Sequence, residues 1–454
     1  MNVLILGAGQ VGLGVARHLK NRNIDVTIVE KSPELVFNIR NFFDINIIQG
    51  NALDAEVLKN ANAENSTHLI ATMSDDEQNI LVCKLASALF NIGNKIARLK
   101  SHPFLKNSMS DSFIKENFDI DLLIHPELEV AKYIADIASV NGAFDVIKFD
   151  YAIIVGLKCK DNTEILNTTL KHFPNITDLR LFILTITRGE TTIFPLADDL
   201  LLPGDDVYLI IAADDFEKVM ILFGYPPTHR QNFLIIGGER MGSLVVQTIF
   251  EKNSGAQITL LEKSKDRAEE ISQQYPDITT ILGDASDYDL LSNLSASADT
   301  AIVLTDCDKT NALSSLLLKQ LKVKRILTLE KSRNYDSLLQ TSFGCSVVDP
   351  ITVTAENIIY KTCTRNIISA VRLKNSPAYI IEAIINESCY YLGEKIESLC
   401  KKNDITPIFV IRNNKIVSAK KDVELQLNDQ IMMIVPEDKI SSTEQIFSNY
   451  FSSD

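Results

Sequence analysis

The chain has 454 residues, 46% of them hydrophobic and 23% charged, a length that predicts about three domains and a composition that predicts globular ones. With 45 Lys and Arg against 59 Asp and Glu the net charge is −14, which argues against a nucleic-acid backbone or an anionic lipid surface as partner. No window reaches the roughly 18 uninterrupted apolar residues of a membrane span, and Met1-Asn2-Val3 enters a strand without a basic leader, so a cytosolic protein is expected. Seven cysteines without a C-x-x-C spacing and six scattered histidines argue against disulfide, zinc or other metal frameworks.

In chain order, Val3-Leu4-Ile5-Leu6 is an apolar run that breaks into Gly7-Ala8-Gly9-Gln10-Val11-Gly12, the G-x-G-x-x-G of a strand, a tight turn and a helix start. Gly7 allows the sharp turn, Gly9 leaves room for a pyrophosphate against bare backbone, and Gly12 lets the helix sit close to the sheet. Phosphates would rest on unpaired helix N–H groups at the positive end of the dipole. Residues 25–30 read as a second strand ending in Glu30, a carboxylate placed to hold ribose hydroxyls and to repel a 2′-phosphate, which favours NAD over NADP. Strands at 46–49, 67–72, 95–99 and 121–124, with a long helix opened by Asp75-Asp76-Glu77 and another from Pro126 to about Ser139, complete a doubly wound parallel sheet.

From about Asn141 the texture changes to strands at 151–157, 179–186 and 207–212 with a helix expected over 164–172, a small α+β module without a glycine fingerprint. A helix at about 215–223 follows, then Gly224-Tyr225-Pro226-Pro227, the strongest punctuation in the chain.

The plan then restarts. Gly237-Gly238-Glu239-Arg240-Met241-Gly242 repeats the opening turn, Glu262-Lys263-Ser264 answers Glu30-Lys31-Ser32, and Gly283-Asp284-Ala285 answers Gly50-Asn51-Ala52. Asp306 to Asn311 answers Ser74 to Asn79, and Arg412 and Asp429 in the last module echo Arg188 and Asp205. The offsets are nearly constant, 230 between Gly7 and Gly237 and 232 between Glu30 and Glu262. This predicts four domains: two Rossmann-like parallel-sheet units at 1–140 and 230–370, each followed by a small α+β unit at 141–225 and 371–454. The copy is unfaithful at the chemistry: Glu239 stands at the place of Gly9, and Thr328 is expected where Arg98 stands in the first half. A carboxylate facing phosphates repels them, so a weak or empty second pocket is expected.

The strings G-A-G-Q-V-G, V-E-K, Q-G-N-A, S-D-D-E-Q-N and I-A-R-L-K-S, duplicated with a small module after each copy, resemble the cytoplasmic regulatory subunits of bacterial Trk potassium uptake systems, built from domains that regulate potassium conductance (RCK domains). The resemblance covers essentially the whole chain. It implies a peripheral protein at the cytoplasmic face of the inner membrane, under a membrane-embedded potassium-transporting subunit (TrkH/TrkG-like), whose activity it alters as nucleotide occupancy changes. By position, it implies a first site in which Gly7, Ala8, Gly9, Gln10, Val11 and Gly12 cradle a diphosphate and Glu30 holds the ribose. Asn51 would lie by the adenine, Met73 and Ser74 would line the pocket, and Arg98 would reach a phosphate. The family usually has Thr or Val where Met73 stands. In the second half Gly237, Gly242, Glu262 and Asp284 keep their types, while Glu239 departs from the usual glycine. The family's ligands include NAD, NADH and the adenine nucleotides ATP and ADP, and the duplication points to a homo-oligomer, a dimer or tetramer closing four or more such domains into a ring, with no nucleic acid involved.

Two other classes compete. An NAD-dependent oxidoreductase needs an acid/base group beside the nicotinamide, and the small modules offer only His172 as a histidine, whose exposed or capping role is the simpler reading. A structural protein with vestigial pockets fits the second half and not the first, where Gly7, Gly9, Gly12, Glu30 and Arg98 survive together.

Overall fold

Each apolar run of four to six residues is followed by a stretch of helical period, and this alternation carries the chain through two parallel sheets. The computed structural model describes all residues except 1, 21–23, 101–107, 162, 164, 167, 173–178, 228–229, 254, 333, 343, 362–366, 375, 388, 404, 414, 419–421 and 449–454. The first sheet contains β1 (Asn2–Leu6), β2 (Asp25–Glu30), β3 (Asn46–Gln49), β4 (His68–Ala71), β5 (Asn94–Arg98) and β6 (Leu122–Ile124) in the order β3-β2-β1-β4-β5-β6. All its pairs are parallel. The connecting helices are α1 (Gln10–Lys20), α2 (Pro33–Phe42), α3 (Ala55–Asn60), α4 (Asp76–Phe90) and α5 (Ser108–Phe118), followed by α6 (Pro126–Ser139). The order reverses between β1 and β4, a switch point that opens a crevice at the carboxyl ends of the strands. Local chemistry sets the helix starts: the Ser32 Oγ accepts from the Leu35 N–H with Pro33 in the first turn, and the Asp75 carboxylate accepts from the Gln78 N–H.

A second, antiparallel sheet follows, β10-β9-β11-β8-β7, from β7 (Ala143–Lys148), β8 (Ala152–Lys158), β9 (Leu181–Arg188), β10 (Thr191–Ile193) and β11 (Asp206–Ala212), closed by α7 (Phe216–Leu222). The strand β7 was not anticipated. The helix expected over 164–172 is reduced to one 3₁₀ turn, Leu170–His172, with residues 164 and 167 outside the described ones.

The second half repeats both units. Its parallel sheet, β14-β13-β12-β15-β16-β17, holds β12 (Asn232–Ile236), β13 (Gln257–Glu262), β14 (Thr279–Leu282), β15 (Thr300–Val303), β16 (Arg325–Leu329) and β17 (Ser346–Val348). The helices are α8 (Arg240–Lys252), α9 (Lys265–Gln274), α10 (Tyr288–Ser295), α11 (Asp308–Gln320) and α12 (Pro350–Lys361). The last sheet, β18-β19-β22-β20-β21, holds β18 (Ile367–Arg372), β19 (Ala378–Ile384), β20 (Thr406–Arg412), β21 (Lys415–Ser418) and β22 (Gln430–Pro436), with α13 (Ile396–Asn403) and α14 (Ile440–Ser448).

The halves are joined by exchanged helices. Val130, Ala131 and Ile134 of α6 share a core with Phe233 and Ile235 of β12 and Val245 and Ile249 of α8, so the helix that ends the first parallel unit covers the second. In return, Ala355, Ile358 and Ile359 of α12 pack with Val3, Ile5, Val15 and Leu19 of the first. Arg325, at the start of β16, donates to the carbonyls of Ile137 (2.6 Å), Val140 (2.8 Å) and Ala143, closing the C-terminus of α6 with a cation from the other half. Burial pushes its pKa down to about 10, so it stays charged at neutral pH. The antiparallel sheets also meet face to face, with Ile154, Leu184 and Ile210 against Ile380, Phe409 and Met432, and Tyr151 donating to Glu382 at 2.5 Å. Within each antiparallel sheet the same bidentate pair recurs, Arg188 on Asp205 and Arg412 on Asp429, every contact at 2.8 Å.

Candidate functional site

The crevice above β1 and β4 holds a cavity of about 380 Å³. Its walls include Gly7, Gly9, Gln10, Val11, Glu30, Asn51, Met73, Ser74 and Arg98. Of the residues anticipated for the first site, Ala8 and Gly12 alone fall outside this lining, and both serve it from beneath. The Ala8 N–H donates to Glu30, and Gly12 sits where a Cβ would overlap the Gly7 carbonyl oxygen and press on Thr72 Oγ1.

The three glycines differ in cause. Gly7 has φ +99°, and a Cβ there would come to 3.0 Å from the Met73 backbone nitrogen, so both conformation and space demand glycine. Gly12 is demanded by packing alone. A Cβ on Gly9 would meet nothing within 4 Å, so the protein's own packing gives no reason for glycine there. On its open side Gly9 leaves bare backbone facing the cavity.

Around this turn the charges are set out for an anion beside a sugar. The first turn of α1 contains no acidic residue, leaving its N-terminal N–H groups and dipole unopposed. Both oxygens of Glu30 are held, Oε2 by the Ala8 N–H at 2.7 Å and Oε1 by the Ser32 N–H at 2.8 Å, which fixes the carboxylate and leaves lone pairs for hydroxyl donors. Arg98 ends β5 half-buried; burial pushes its pKa down while Asp76 and Glu127 hold it up, and its Nε is buried without a hydrogen-bond partner among the described residues. A buried cationic donor in that state gains from an anionic oxygen.

Four further residues complete the site. Lys31 and Lys100 line the cavity, each just past a strand end in the V-E-K and R-L-K strings, and Gln78 lines it from α4. Asn79 is fully buried and ties two strand ends together: its Oδ1 accepts from the Met73 N–H (2.8 Å), and its amide donates to the carbonyls of Met73 (3.0 Å) and Arg98 (2.9 Å). The recurrence of Asn79 as Asn311 was the available signal. Asn311 makes the same three bonds, to Thr305 N–H, Thr305 O and Leu329 O.

That equivalence corrects the expected partner of Arg98. The register pairs Ala71 with Ala97 in the first sheet and Val303 with Thr328 in the second, so Thr328 matches Ala97 and Leu329 takes the place of Arg98. The strand is offset by one residue from the expectation, and the second crevice has a buried leucine where the first has its guanidinium.

The second turn keeps its frame: Gly237 has φ +98°, and Glu262 is held by the N–H groups of Gly238 (2.5 Å) and Ser264 (2.7 Å). Gly242 lies where a Cβ would overlap the Gly237 carbonyl oxygen. Around that frame the contents change. Arg267, in the place of Leu35, donates to the Gly238 carbonyl at 3.0 Å. Asp284 is engaged by Lys263 (2.8 Å) and by Ser286 N–H (2.8 Å) and Oγ (2.6 Å), which hold its carboxyl far below the usual range. Glu239 and Asp306 replace Gly9 and Ser74 and share a hydrogen bond; that bond, then burial, then the charge of Asp306 push the Glu239 carboxyl up to about 7, while the same bond and then Lys331, 3.0 Å from Asp306, hold Asp306 down. Beside Glu239, Arg240 pairs with Glu127 at 2.5 Å and donates to the Lys100 carbonyl, so the second turn reaches the rim of the first cavity.

The TrkA-N domain model matches residues 3–114 and 233–350, and the TrkA-C domain model matches 154–224. The Trk system potassium uptake protein TrkA of Azorhizobium caulinodans is 28% identical over 451 residues, covering 98% of both chains, and that of Vibrio alginolyticus is 26% identical over 458 residues, again 98% of both. Among solved structures, the GsuK RCK domain aligns with 98% of this chain and 94% of its own at TM-score 0.60 and 17% identity. The GsuK channel bound to NAD aligns with 98% and 78% at TM-score 0.62 and 18% identity. These bear out the expected architecture of two Rossmann-like parallel-sheet units, each followed by a small α+β unit.

Proposed function

The chain belongs to the TrkA family, and from that premise we propose that it is a nucleotide-binding regulatory subunit of potassium uptake, which alters a membrane-embedded transporting subunit of the TrkH/TrkG type as NAD(H) or an adenine nucleotide enters and leaves the first crevice. The observation that carries this is Gly9: the one glycine of the turn that packing among the described residues does not require, in a cavity it shares with Arg98, whose buried Nε has no partner among them. In this reading Gly7 to Gly12 cradle the diphosphate, Glu30 takes the ribose hydroxyls, Asn51, Met73 and Ser74 flank the base side, and Arg98 with Lys100 takes a phosphate. An adenine dinucleotide bound to the GsuK channel supports the ligand class. The second crevice, with Gly237, Gly242, Glu262 and Asp284 around the Glu239–Asp306 pair, stays empty of nucleotide.

The cavity supplies shape, one fixed carboxylate and cations; in this reading it binds its ligand without turnover. No described helix is long and apolar enough to cross a membrane; in this reading the subunit docks on its transporting partner from the cytoplasmic face. Coupling follows from the exchanged helices. A ligand that reorganises Arg98 acts on Glu127 at the start of α6, and Glu127 holds Arg240 of the other half. A coupling of about 1–3 kcal/mol is enough to change transport roughly five- to a hundredfold. Paired chains closing into a ring would multiply the effect.

Calorimetry tests this reading: NAD(H) is expected to bind at one site per chain, without oxidation or reduction when small substrates are added. Hydride transfer to any of them would overturn it. Sedimentation showing only monomer across a wide concentration range would remove the ring.

A further inference from the structure

A second cavity, of about 290 Å³, lies across the internal twofold, bounded by α6 and β7 of the first half and by the matching α12 and β18 of the second. A cavity on this seam touches both exchanged helices, and whatever changes its charge acts on the contact between the halves.

Most charges that face it are accounted for. On the α6 wall, Glu129 pairs with Lys132 at 3.5 Å, and Asp136 pairs at 2.6 Å with Lys148 of β7 and again with Lys252 of α8. On the β7 wall, Asp145 is 2% exposed and accepts hydrogen bonds from the hydroxyls of Tyr133 and Tyr208, both at 2.7 Å. From the β18 side, Arg372 reaches Glu437 at 3.4 Å, and the Lys374 ammonium sits 4.6 Å from the centre of the Tyr133 ring. On α1, Arg17 and His18 line the neighbouring cavity with Asp349 and Arg372, not this one.

Glu356 of α12 remains. Its carboxylate, partly exposed, makes no hydrogen bond or ion pair among the described residues, although it lines a cavity to which three other elements, α6, β7 and β18, bring charged side chains. The helix starts at Pro126 and Pro350 put Glu356 at the position that Lys132 occupies in α6, so the twofold places an acid on one side and a base on the other. Lys132 is used by Glu129, and Glu356 is left alone.

We propose that Glu356 is a proton-operated latch between the two halves: neutral, it leaves α12 seated against α6 and β7; ionised, it sets an unpaired charge against Asp145 across the seam and loosens that seat. The latch does not rest on the nucleotide reading. Burial pushes the Glu356 carboxyl up to about 7; Asp145 and Asp349 add to this while Lys374 and Arg372 oppose it. A carboxyl raised from 4.5 contributes stability that is fully present below pH 4.5 and is lost as pH rises through 7. The seat is therefore tighter at pH 6 than at pH 8.

The test is hydrogen exchange of segments 126–139 and 350–361 in the full chain at pH 6 and pH 8, corrected for intrinsic rates. In the parent, protection of both segments is expected to fall roughly fivefold or more between pH 6 and pH 8. Glu356→Gln should hold the pH 6 protection at both values, while Glu129→Gln should behave as the parent. Lys374→Met, which removes a cation favouring the ionised form, should move the midpoint of the change to higher pH. A Glu356→Gln chain that keeps the parental dependence, or a midpoint unmoved in Lys374→Met, overturns the latch.

Discussion

The two glycine turns have the same skeleton and opposite contents. In both, a glycine near φ +98° leaves the first strand, a carboxylate on the second strand is held by two N–H groups, and an asparagine pins the fourth and fifth strand ends. In the first, an open glycine and a guanidinium face the crevice; in the second, two carboxylates and a leucine stand at the matching places. The lesson is that the skeleton is maintained by folding and the contents by the ligand. A glycine kept by sterics survives duplication, as Gly237 and Gly242 do, whereas Gly9, which packing does not require, is the one exchanged.

The sharpest way to break this comparison is Gly9→Asp, which gives the first turn the character of the second. Calorimetry should show NAD(H) binding lost by more than about a hundredfold, with the fold kept because the side chain enters open space. Two equivalent binding events per parent chain would instead show that Glu239 and Asp306 do not obstruct their crevice. The shared frame is tested by Ile134→Ala, which removes a fully buried side chain of α6 from the core of the other half. A loss of about 2–5 kcal/mol is expected in chemical denaturation, with both halves affected in one transition. Arg98→Ala should weaken the ligand by about 1.5–3 kcal/mol, roughly ten- to a hundredfold, and leave stability nearly unchanged. The smallest effect belongs to the second turn. Glu239, raised from 4.5 to about 7, contributes stability that is complete below pH 4.5 and is lost as pH rises through 7, so Glu239→Gln should flatten the melting temperature across that interval. The change is slight because Glu239 is exposed.

The sequence alone carried far in the parallel units, because apolar runs, glycine spacing and helix caps are local signals. Asp75 caps α4 and Pro126 opens α6 where the sequence places them. It was less informative in the small units, where β7 went unread and the 164–172 helix shrank to a turn, since short mixed segments take their conformation from what they pair with. Within the site, residues just beyond a motif, Lys31 and Lys100, were not legible as lining residues because only strand direction tells which side chains reach the crevice. The register of β16 was misjudged for the same reason: strings can be aligned one residue off, while hydrogen-bonded strands cannot slip without turning their side chains over.

What the sequence determined by itself is the repeat, the four-unit order and the inequality of the two turns, all properties of residues near one another along the chain. What only the tertiary structure decided is that α6 and α12 are exchanged, that Leu329 and not Thr328 answers Arg98, and that Glu356 stands on the seam between halves without an ion pair among the described residues. Those depend on which elements meet in space, often far apart along the chain, and no local pattern records which of two equivalent sheets a helix will cover.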